Sequence, residues 1–391
     1  MQKVKISKVC KISNGFAFKS DKYVGSNGAR IIRITNVQKG RIVDNDPKLY
    51  PFSEVKNLDN YKINEGDIMM SLTGNVGRVG KFPKEFLPAY INQRVCRVMP
   101  KNEKLDTNFL FHFLNSDVFE NDAVRNSAGA AQLNLSTNWL AEYEIPLPNL
   151  ATQQRIAAIL DQADAIIQNN RAIVQKYDAL TQSLFLDMFG DPVKNEKGWK
   201  MKTLKDFGTS RLGKMLDGKK IIGNNLKPYL RNSNVQWFRF ELNDLLKMDF
   251  DEKDKVEFSL KVGDILMCEG GEIGRCAIWK DEIEDCYFQK AIHRIRLNDK
   301  YVLPEYFVHM FKNIADNGGL DEFKSAATIS HLTGEKLKKM RMPIPPIELQ
   351  NQFAERVAMI EAQKQQAQLE LAKSEELFQS LLQRAFNGEL N

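Results

Sequence analysis

One design is written twice in this chain. The segments Gly66-Asp67-Ile68-Met69-Met70 and Gly74-Asn75-Val76-Gly77-Arg78 reappear as Gly263-Asp264-Ile265-Leu266-Met267 and Gly271-Glu272-Ile273-Gly274-Arg275. Their register is constant at 264 − 67 = 197 positions. The same offset carries His112 onto His309, Leu135 onto Leu332, Pro146 and Pro148 onto Pro343 and Pro345, and Gln153 onto Gln350. Chance does not hold a register over such a distance. A repeat this long exceeds the unit of a solenoid, so each copy has to be a domain plus a connecting element. The fold is therefore expected to carry approximate two-fold symmetry.

At 391 residues the chain has length for two or three domains, and the duplication favours two. Its 43% hydrophobic and 27% charged residues describe a globular protein. No apolar run approaches the roughly 20 residues of a membrane helix. The first residues, Met1-Gln2-Lys3-Val4-Lys5-Ile6, lack the apolar core of a signal peptide, which gives the expectation of a cytoplasmic protein with no membrane contact. Cys10, Cys96, Cys268, Cys276 and Cys286 are odd in number and form no Cys-x-x-Cys pair, so buried, reduced thiols are expected in place of a disulfide scaffold or a zinc site. The net charge is +6, with the positive excess in residues 1–148 and 191–345 and a slight acidic excess in the stretches after each. That separation fits large segments that touch phosphates and shorter ones that touch protein. An ordinary lysine-rich surface accounts for the charge equally well.

Within each large segment, Ala29 to Ile34, Asp67 to Leu72 and Arg94 to Met99 read as strands. Asn108 to Leu114 and its counterpart Glu305 to Phe311 read as short helices, which makes His112 and His309 core or boundary residues. Ile145-Pro146-Leu147-Pro148 and Met342-Pro343-Ile344-Pro345-Pro346 close the two segments, because proline stops strands and fixes an extended entry into the next element. From about Thr152 to Phe189 there is no Gly or Pro. There Ile156, Leu160, Ala163, Ile167, Val174, Tyr177, Leu184 and Met188 alternate at spacings near four and three, and Asn170 and Thr181 complete the seam. The second stretch repeats it with Phe353, Val357, Ile360, Ala367, Leu371, Phe378, Leu381 and Ala385, interrupted by Lys364 and Ser374. The simplest partner for each stripe is the other helix, packed antiparallel, with Asn170 as a polar residue that sets register. Gly190 and Gly388 are the matching stops.

The expected class is therefore α+β. Two similar mixed α/β domains, 1–148 and 190–345, are joined by two long antiparallel, coiled-coil-like helices in 149–189 and 346–391, with pseudo-two-fold symmetry. A helix of roughly 36 residues at 1.5 Å each is about 54 Å long, more than a small globule needs to span its own core, so its length points to a spacer.

Catalytic patterns do not hold together. Gly74 to Lys81 looks like a phosphate loop, but five residues separate Gly74 from Gly80 and Phe82 stands where a magnesium-binding Ser or Thr is needed. A nuclease-like string occurs as Asp46, Glu54 and Lys56, yet a chain this rich in charge throws up such strings often. Neither zinc-deaminase spacing nor a Cys-His nucleophile is present, nor a Gly-rich adenosylmethionine turn, nor an Asn/Asp-Pro-Pro-Tyr/Phe string. The chain is expected to do no chemistry itself and to bind no metal and no cofactor. An enzyme built on Glu54 and Lys56, or a helical scaffold without DNA specificity, would be the alternatives. Neither explains why duplicated basic globules should share a frame and differ in their loops.

What remains is recognition chemistry. The Gly-x-x-Gly-Arg loops join exposed backbone N–H groups to Arg78 or Arg275, a combination suited to a phosphate or a guanine edge. Arg33 and Asn36 match Arg231 and Asn234, at an offset one residue longer, and Arg and Asn are the side chains that make bidentate contacts with guanine and adenine. Gln93-Arg94 and Gln289-Lys290 form a further pair. Gln132 and Asn134 stand opposite Thr328 and His331, with small residues beside them. Thr73 and Asn75, with Glu272 in the second copy, complete the loop candidates, and Lys19 and Lys214 add basic side chains.

Taken in order, these features resemble the specificity subunit of Type I restriction-modification enzymes over nearly the whole chain. The features that carry the resemblance are the two Gly-Asp-Ile-Leu/Met-Met segments with their Gly-x-x-Gly-Arg loops and the two Pro-x-Pro entries into Asn149-Leu150-Ala151-Thr152-Gln153 and Ile347-Glu348-Leu349-Gln350. Phe189-Gly190-Asp191-Pro192 and the terminal Ala385-Phe386-Asn387-Gly388-Glu389-Leu390 complete the set. The resemblance implies two target-recognition domains, each reading one half of a bipartite double-stranded DNA site, held apart by the two helices. It also implies that two adenine methyltransferase subunits dock on those helices, that restriction (translocase-nuclease) subunits join the assembly, and that S-adenosylmethionine is bound only by the methyltransferases. The second copy departs from the first where Cys268-Glu269-Gly270 replaces Ser71-Leu72-Thr73 and Glu272 replaces Asn75.

Overall fold

The computed structural model describes residues 2–127, 133–215, 223, 225–321 and 331–390. The chain divides into two compact units, one of residues 1–171 with 369–391, the other of residues 172–368.

In the first unit a six-stranded sheet runs in the order Cys10–Asn14, Val95–Pro100, Ile68–Ser71, Val79–Lys81, Gly40–Ile42, Val37–Gln38. A four-stranded sheet has the order Leu49–Pro51, Gly28–Ile32, Ala89–Ile91, Lys62–Ile63, and Lys3–Lys5 pairs with Glu144–Pro146. The second unit repeats the plan, with a sheet ordered Gly208–Leu212, Ile292–Leu297, Ile265–Cys268, Cys276–Ile278 and another ordered Leu246–Asp249, Leu226–Leu230, Tyr287–Phe288. Pairing is conserved between the copies as well as order: Ile68 faces Lys81 and Val98, and Ile265 faces Ile278 and Ile295. Before about residue 46 the structural offset is 198, since Lys3 faces Pro146 where Met201 faces Pro343.

Burial on both faces accounts for the unbroken apolar runs of the Gly-Asp-Ile motifs. All four residues of Ile68–Ser71 and of Ile265–Cys268 are buried. Each strand lies between two cores: Ile68 and Met70 point into one cluster and Met69 into another, as Ile265 and Met267 do opposite Leu266 and Cys268. All five cysteines are free and buried. Burial pushes the Cys10 and Cys96 thiols up to about 12.

The expected short helices are Thr107–Leu114 and Pro304–Asp316, and the long ones Leu150–Phe189, with 40 residues, and Ile347–Asn387, with 41. Gly190 and Gly388 close the long helices at φ 76° and 85°. In the first unit the start of one long helix and the end of the other run antiparallel. Asn170 Nδ2 donates to Ser374 Oγ at 3.3 Å and Arg171 pairs with Glu375 at 2.6 Å. In the second unit Lys364 meets Asp178 at 2.6 Å, and Phe353 lies edge-on to Phe185 and Phe189. The polar interruptions of the seam are thus paired positions. Ile156, Leu160, Ile167, Phe353 and Val357 are buried, while Val174, Tyr177, Leu184, Ile360, Leu371, Phe378 and Leu381 are half-buried.

The helix ends are more than spacers. Ile156, Leu160, Leu382 and Ala385 belong to the core that holds Phe109, Leu110 and Phe113. Phe185, Phe189, Phe353 and Val357 belong to the one that holds Tyr306, Phe307 and Met310. His112, 2% exposed, bonds Asp161 through Nε2 at 2.7 Å, a contact that holds the Asp161 carboxyl below its usual range. His309 stacks on Phe238 and meets Phe353 edge-on; burial drives its pKa down to about 3. Both are core or boundary residues, as their helical spacing implied.

Candidate nucleic-acid interface

Three loop segments converge in each unit, and their frame is built from the same bonds twice. After Ile68–Ser71 the chain turns through residues 72–78. Ser71 N donates to Arg78 O and Gly77 N to Ser71 O; Cys268 N to Arg275 O and Gly274 N to Cys268 O repeat this. Gly77 and Gly274 sit at φ 77° and 79°, and a Cβ there would lie 2.9 Å from Ala123 Cβ and from Leu320 Cδ1 respectively. Only glycine lets the loop press so closely on the helix beneath it. A second segment is zipped to the first: Leu135 N donates to Leu72 O and Leu332 N to Glu269 O, both at 2.7 Å, with Thr73 bridged to Asn134 and Gly270 to His331. Asn134 and His331, counterparts in the repeat, therefore each lie against the loop of their own unit.

The third segment corrects an expectation. Asn36 is 3% exposed and Asn234 0%. Their Oδ1 atoms accept from the backbone N of Arg33 and Arg231 at 2.9 Å, and their Nδ2 groups donate to Val43 O and Glu241 O at 2.8 Å. With every polar atom engaged inside the turn, these amides have nothing left for an adenine edge. Arg33 and Arg231 are tied down too, each donating Nη2 to a backbone carbonyl, of Asp46 and Asp244, at 2.8 Å. The Arg231 and Asn234 bonds hold the Asp244 carboxyl below its usual range. Arg275 gives Nη2 to Asn232 O at 2.9 Å, and Arg78 gives Nη1 to Gln38 Oε1 at 2.8 Å. Lys214 is drawn inward by the Asp254 carboxylate and Asp249 O, over the Phe250 ring. These arginines, asparagines and the lysine build the frame. The equal spacing of Arg33 to Asp46 and of Arg231 to Asp244 was a signal in the sequence that such a clamp existed.

The pairing of Gln93 with Gln289 is also corrected. Asn92 N donates to Ile32 O as Gln289 N does to Leu230 O, and Gln93 N donates to Phe16 O as Lys290 N does to Lys214 O. Gln93 is therefore the counterpart of Lys290, and Gln289, half-buried, that of Asn92. Exposed side chains on the shared frame are Asn75, Gln93, Arg94 and Asn134 in the first unit and Glu272, Lys290 and His331 in the second, while Thr73 is buried and bonded to Asn134; Lys19 is exposed on a turn between strands. Gln132 and Thr328 lie outside the described residues. Beneath the second set, His293 bonds Leu332 O at 3.1 Å, and burial lowers its pKa against the opposing pull of Glu269. Trp237, which the sequence did not single out, bonds Glu272 and carries Lys312 above its ring. The nuclease-like string is not assembled: Asp46 pairs with Lys48 and Arg33, and Glu54 with Lys22.

A profile of the Type I restriction modification DNA specificity domain matches this chain twice, over residues 1–176 and 196–371. The chain belongs to that family. It is 25% identical to the Type I restriction enzyme EcoKI specificity subunit of Escherichia coli K12 across 98% of this chain and 88% of that one. Its likeness to the MjaVIII specificity subunit of Methanocaldococcus jannaschii is 30% over 172 residues, 43% of this chain and 40% of that one. Among solved structures, the Type I S subunit from M. genitalium superposes with a TM-score of 0.55 at 15% identity, covering 98% of this chain and 96% of its own. A chain from a study of type I complex assembly and conformational transition gives 0.61 at 16% identity, covering 99% and 98%. As a specificity subunit the chain supplies DNA sequence recognition through two tandem domains and is not itself an enzyme. Among the described residues no helix is long and apolar enough to cross a membrane.

Proposed function

We propose that this chain reads a bipartite site on double-stranded DNA, one unit per half-site, within the cytoplasm. The observation that carries the reading is one bonded frame bearing different exposed side chains at equivalent places: Asn75 against Glu272, Gln93 against Lys290, Asn134 against His331. Different readers on one scaffold specify two different words. Glu272 suits the amino group of a cytosine, while Gln93 and Asn134 suit an adenine. Surrounding lysines and arginines supply phosphate contacts, and with them most of the affinity and its salt dependence.

Two methyltransferase subunits dock on the long helices and bring S-adenosylmethionine with them; restriction subunits join the larger assembly. The outer face of the first long helix supports this. Within the second unit Ile173 and Leu180 stand seven residues apart and are 42% and 49% exposed, apolar side chains outside the inner seam.

Co-expression with the cognate methyltransferase, followed by long-read mapping of modified adenines, tests the reading. A two-part motif is expected; Gln93→Ala should relax one part and Lys290→Ala the other. Loss of both parts together in either variant would count against modular readout. The helices also set the gap between the two words. Seven residues added to each, which preserves the seam, extend each helix by roughly 10 Å and should lengthen the recognised spacing by about three base pairs. An unchanged spacing would refute that role.

A further inference from the structure

Within the first unit a cavity of about 350 Å³ opens between the turn at residues 39–40, the helix Thr107–Leu114 and the long helices, with Gly40, Arg41, Phe111, His112, Ile167 and Phe378 in its wall. The second unit has the same hairpin, since Gln38 faces Arg41 as Gln236 faces Arg239. There the place of Gly40, at φ 77°, is taken by Phe238 at φ 65°. A bulky residue in that conformation is strained and persists only where its surroundings hold it. What holds Phe238 is its ring, stacked on His309 with centroids 4.5 Å apart and planes 26° apart. His309 is the counterpart of His112. One copy therefore fills this place with an aromatic ring from its own chain, while the other leaves it open. The open copy also has the more apolar floor, with Ile167 and Phe378 where the second has Lys364 and Thr181.

We propose that this cavity receives an aromatic side chain from a protein partner docking along the helices, doing for the first unit what Phe238 does for the second. It rests on the reading that methyltransferase subunits dock there. The cavity lies within the range of small-ligand sites, and an aromatic ring on an imidazole is the contact already made next to Phe238. Because the equivalent place in the second unit is plugged, the two docking faces differ, and two copies of one partner bind this chain unequally.

The test uses the full chain and its methyltransferase. Nothing lies within 4 Å of a Cβ built on Gly40, so the second unit's own plug can be started from this position in Gly40→Phe, and Gly40→Ala imposes the same backbone strain without a ring. Gly40→Phe should weaken partner binding by about tenfold or more while Gly40→Ala changes it much less. p-Cresol titrated into the wild-type chain should shift the ring resonances of His112 and leave those of His309 in place, and Gly40→Phe should abolish the shift. Wild-type binding by Gly40→Phe would overturn this inference alone, as would p-cresol acting on His309 in place of His112. A wild-type chain that fails to bind the methyltransferase would overturn the docking reading, and with it the partner assigned here.

Discussion

Arg296→Met is expected to destabilise the second unit by about 3 kcal/mol, the low end of the cost of stripping a buried charge of its partner, because the arginine itself is a third exposed. Asp264, of the Gly-Asp-Ile motif, is 2% exposed on its side chain. Its Oδ1 accepts Arg296 Nε at 2.7 Å and its Oδ2 accepts Arg296 Nη2 at 3.0 Å and the backbone N of Lys261 at 2.8 Å. The bidentate fork is the strong form of this contact. Met keeps the stem of the side chain and deletes the charge, leaving a buried carboxylate with one backbone donor. Hydrogen exchange locates the damage. Gly208–Leu212 and Ile292–Leu297 should lose protection while Cys10–Asn14 and Val95–Pro100 keep it. Arg97→Met, which strips Asp67 of its 3.0 Å contact, should do the reverse. Equal protection in wild type and Arg296→Met would show that the motif aspartate has no structural role. If it has one, the motif marks a turn and a clamp behind the reading surface, and its reappearance in both copies says nothing about which bases are read.

The same distinction explains which parts of the molecule were legible in the sequence. Strands covered on both faces announce themselves as unbroken apolar runs, which is why the reading of Asp67 to Leu72 as a strand meets the observed Ile68–Ser71 to within a residue at each end. The helical seam was legible because burial repeats at a fixed spacing, and even its polar breaks, Lys364 and Ser374, proved to be paired positions. Burial of single polar side chains leaves no such periodic trace. Asn36 and Asn234 look like surface amides and are turn-builders. Gln93 and Gln289 share a residue type and not a place in the frame, because identity of type cannot show which carbonyl a backbone N–H meets. The plug formed by Phe238 was hidden for a different reason. Two residues that share no chemistry, Gly40 and Phe238, occupy equivalent turns, and the matching strand pairing on either side of them reveals the equivalence.

Gln153 and Gln350 belong among those hidden residues, and they give rise to the second large effect. Both are fully buried at the start of a long helix. Gln350 Oε1 accepts the backbone N of Leu303 at 2.9 Å, and its Nε2 donates to Tyr301 O and to Pro345 O, each at 2.9 Å. Gln153 makes the matching three bonds, to Asp106 N, Lys104 O and Pro148 O. One amide thus ties the loop before the short helix, the Pro-x-Pro exit and the first turn of the long helix into a single joint. Gln350→Leu, close in volume, removes the bond to the buried carbonyl of Pro345 and the part-buried bonds to Leu303 N and Tyr301 O. At roughly 1–3 kcal/mol for the buried group and less for the two that water can reach, a loss of about 2–4 kcal/mol is expected, against a total stability of about 5–15 kcal/mol for an ordinary domain. Gln350→Glu separates hydrogen bonding from packing. As a carboxylate it can still accept from Leu303 but faces two carbonyls with no proton to give, so it should be as damaging as Leu at neutral pH. Protonated, it can donate to one carbonyl, so acid should recover part of its stability and none of that lost in Gln350→Leu. Thermal unfolding of the three chains across a pH series reads this directly. A Leu variant that melts with the wild type would mean that the long helix is held by its apolar seam alone. A melt lowered in both variants, with the Glu variant alone regaining stability in acid, would place the join between reader and helix in this one side chain.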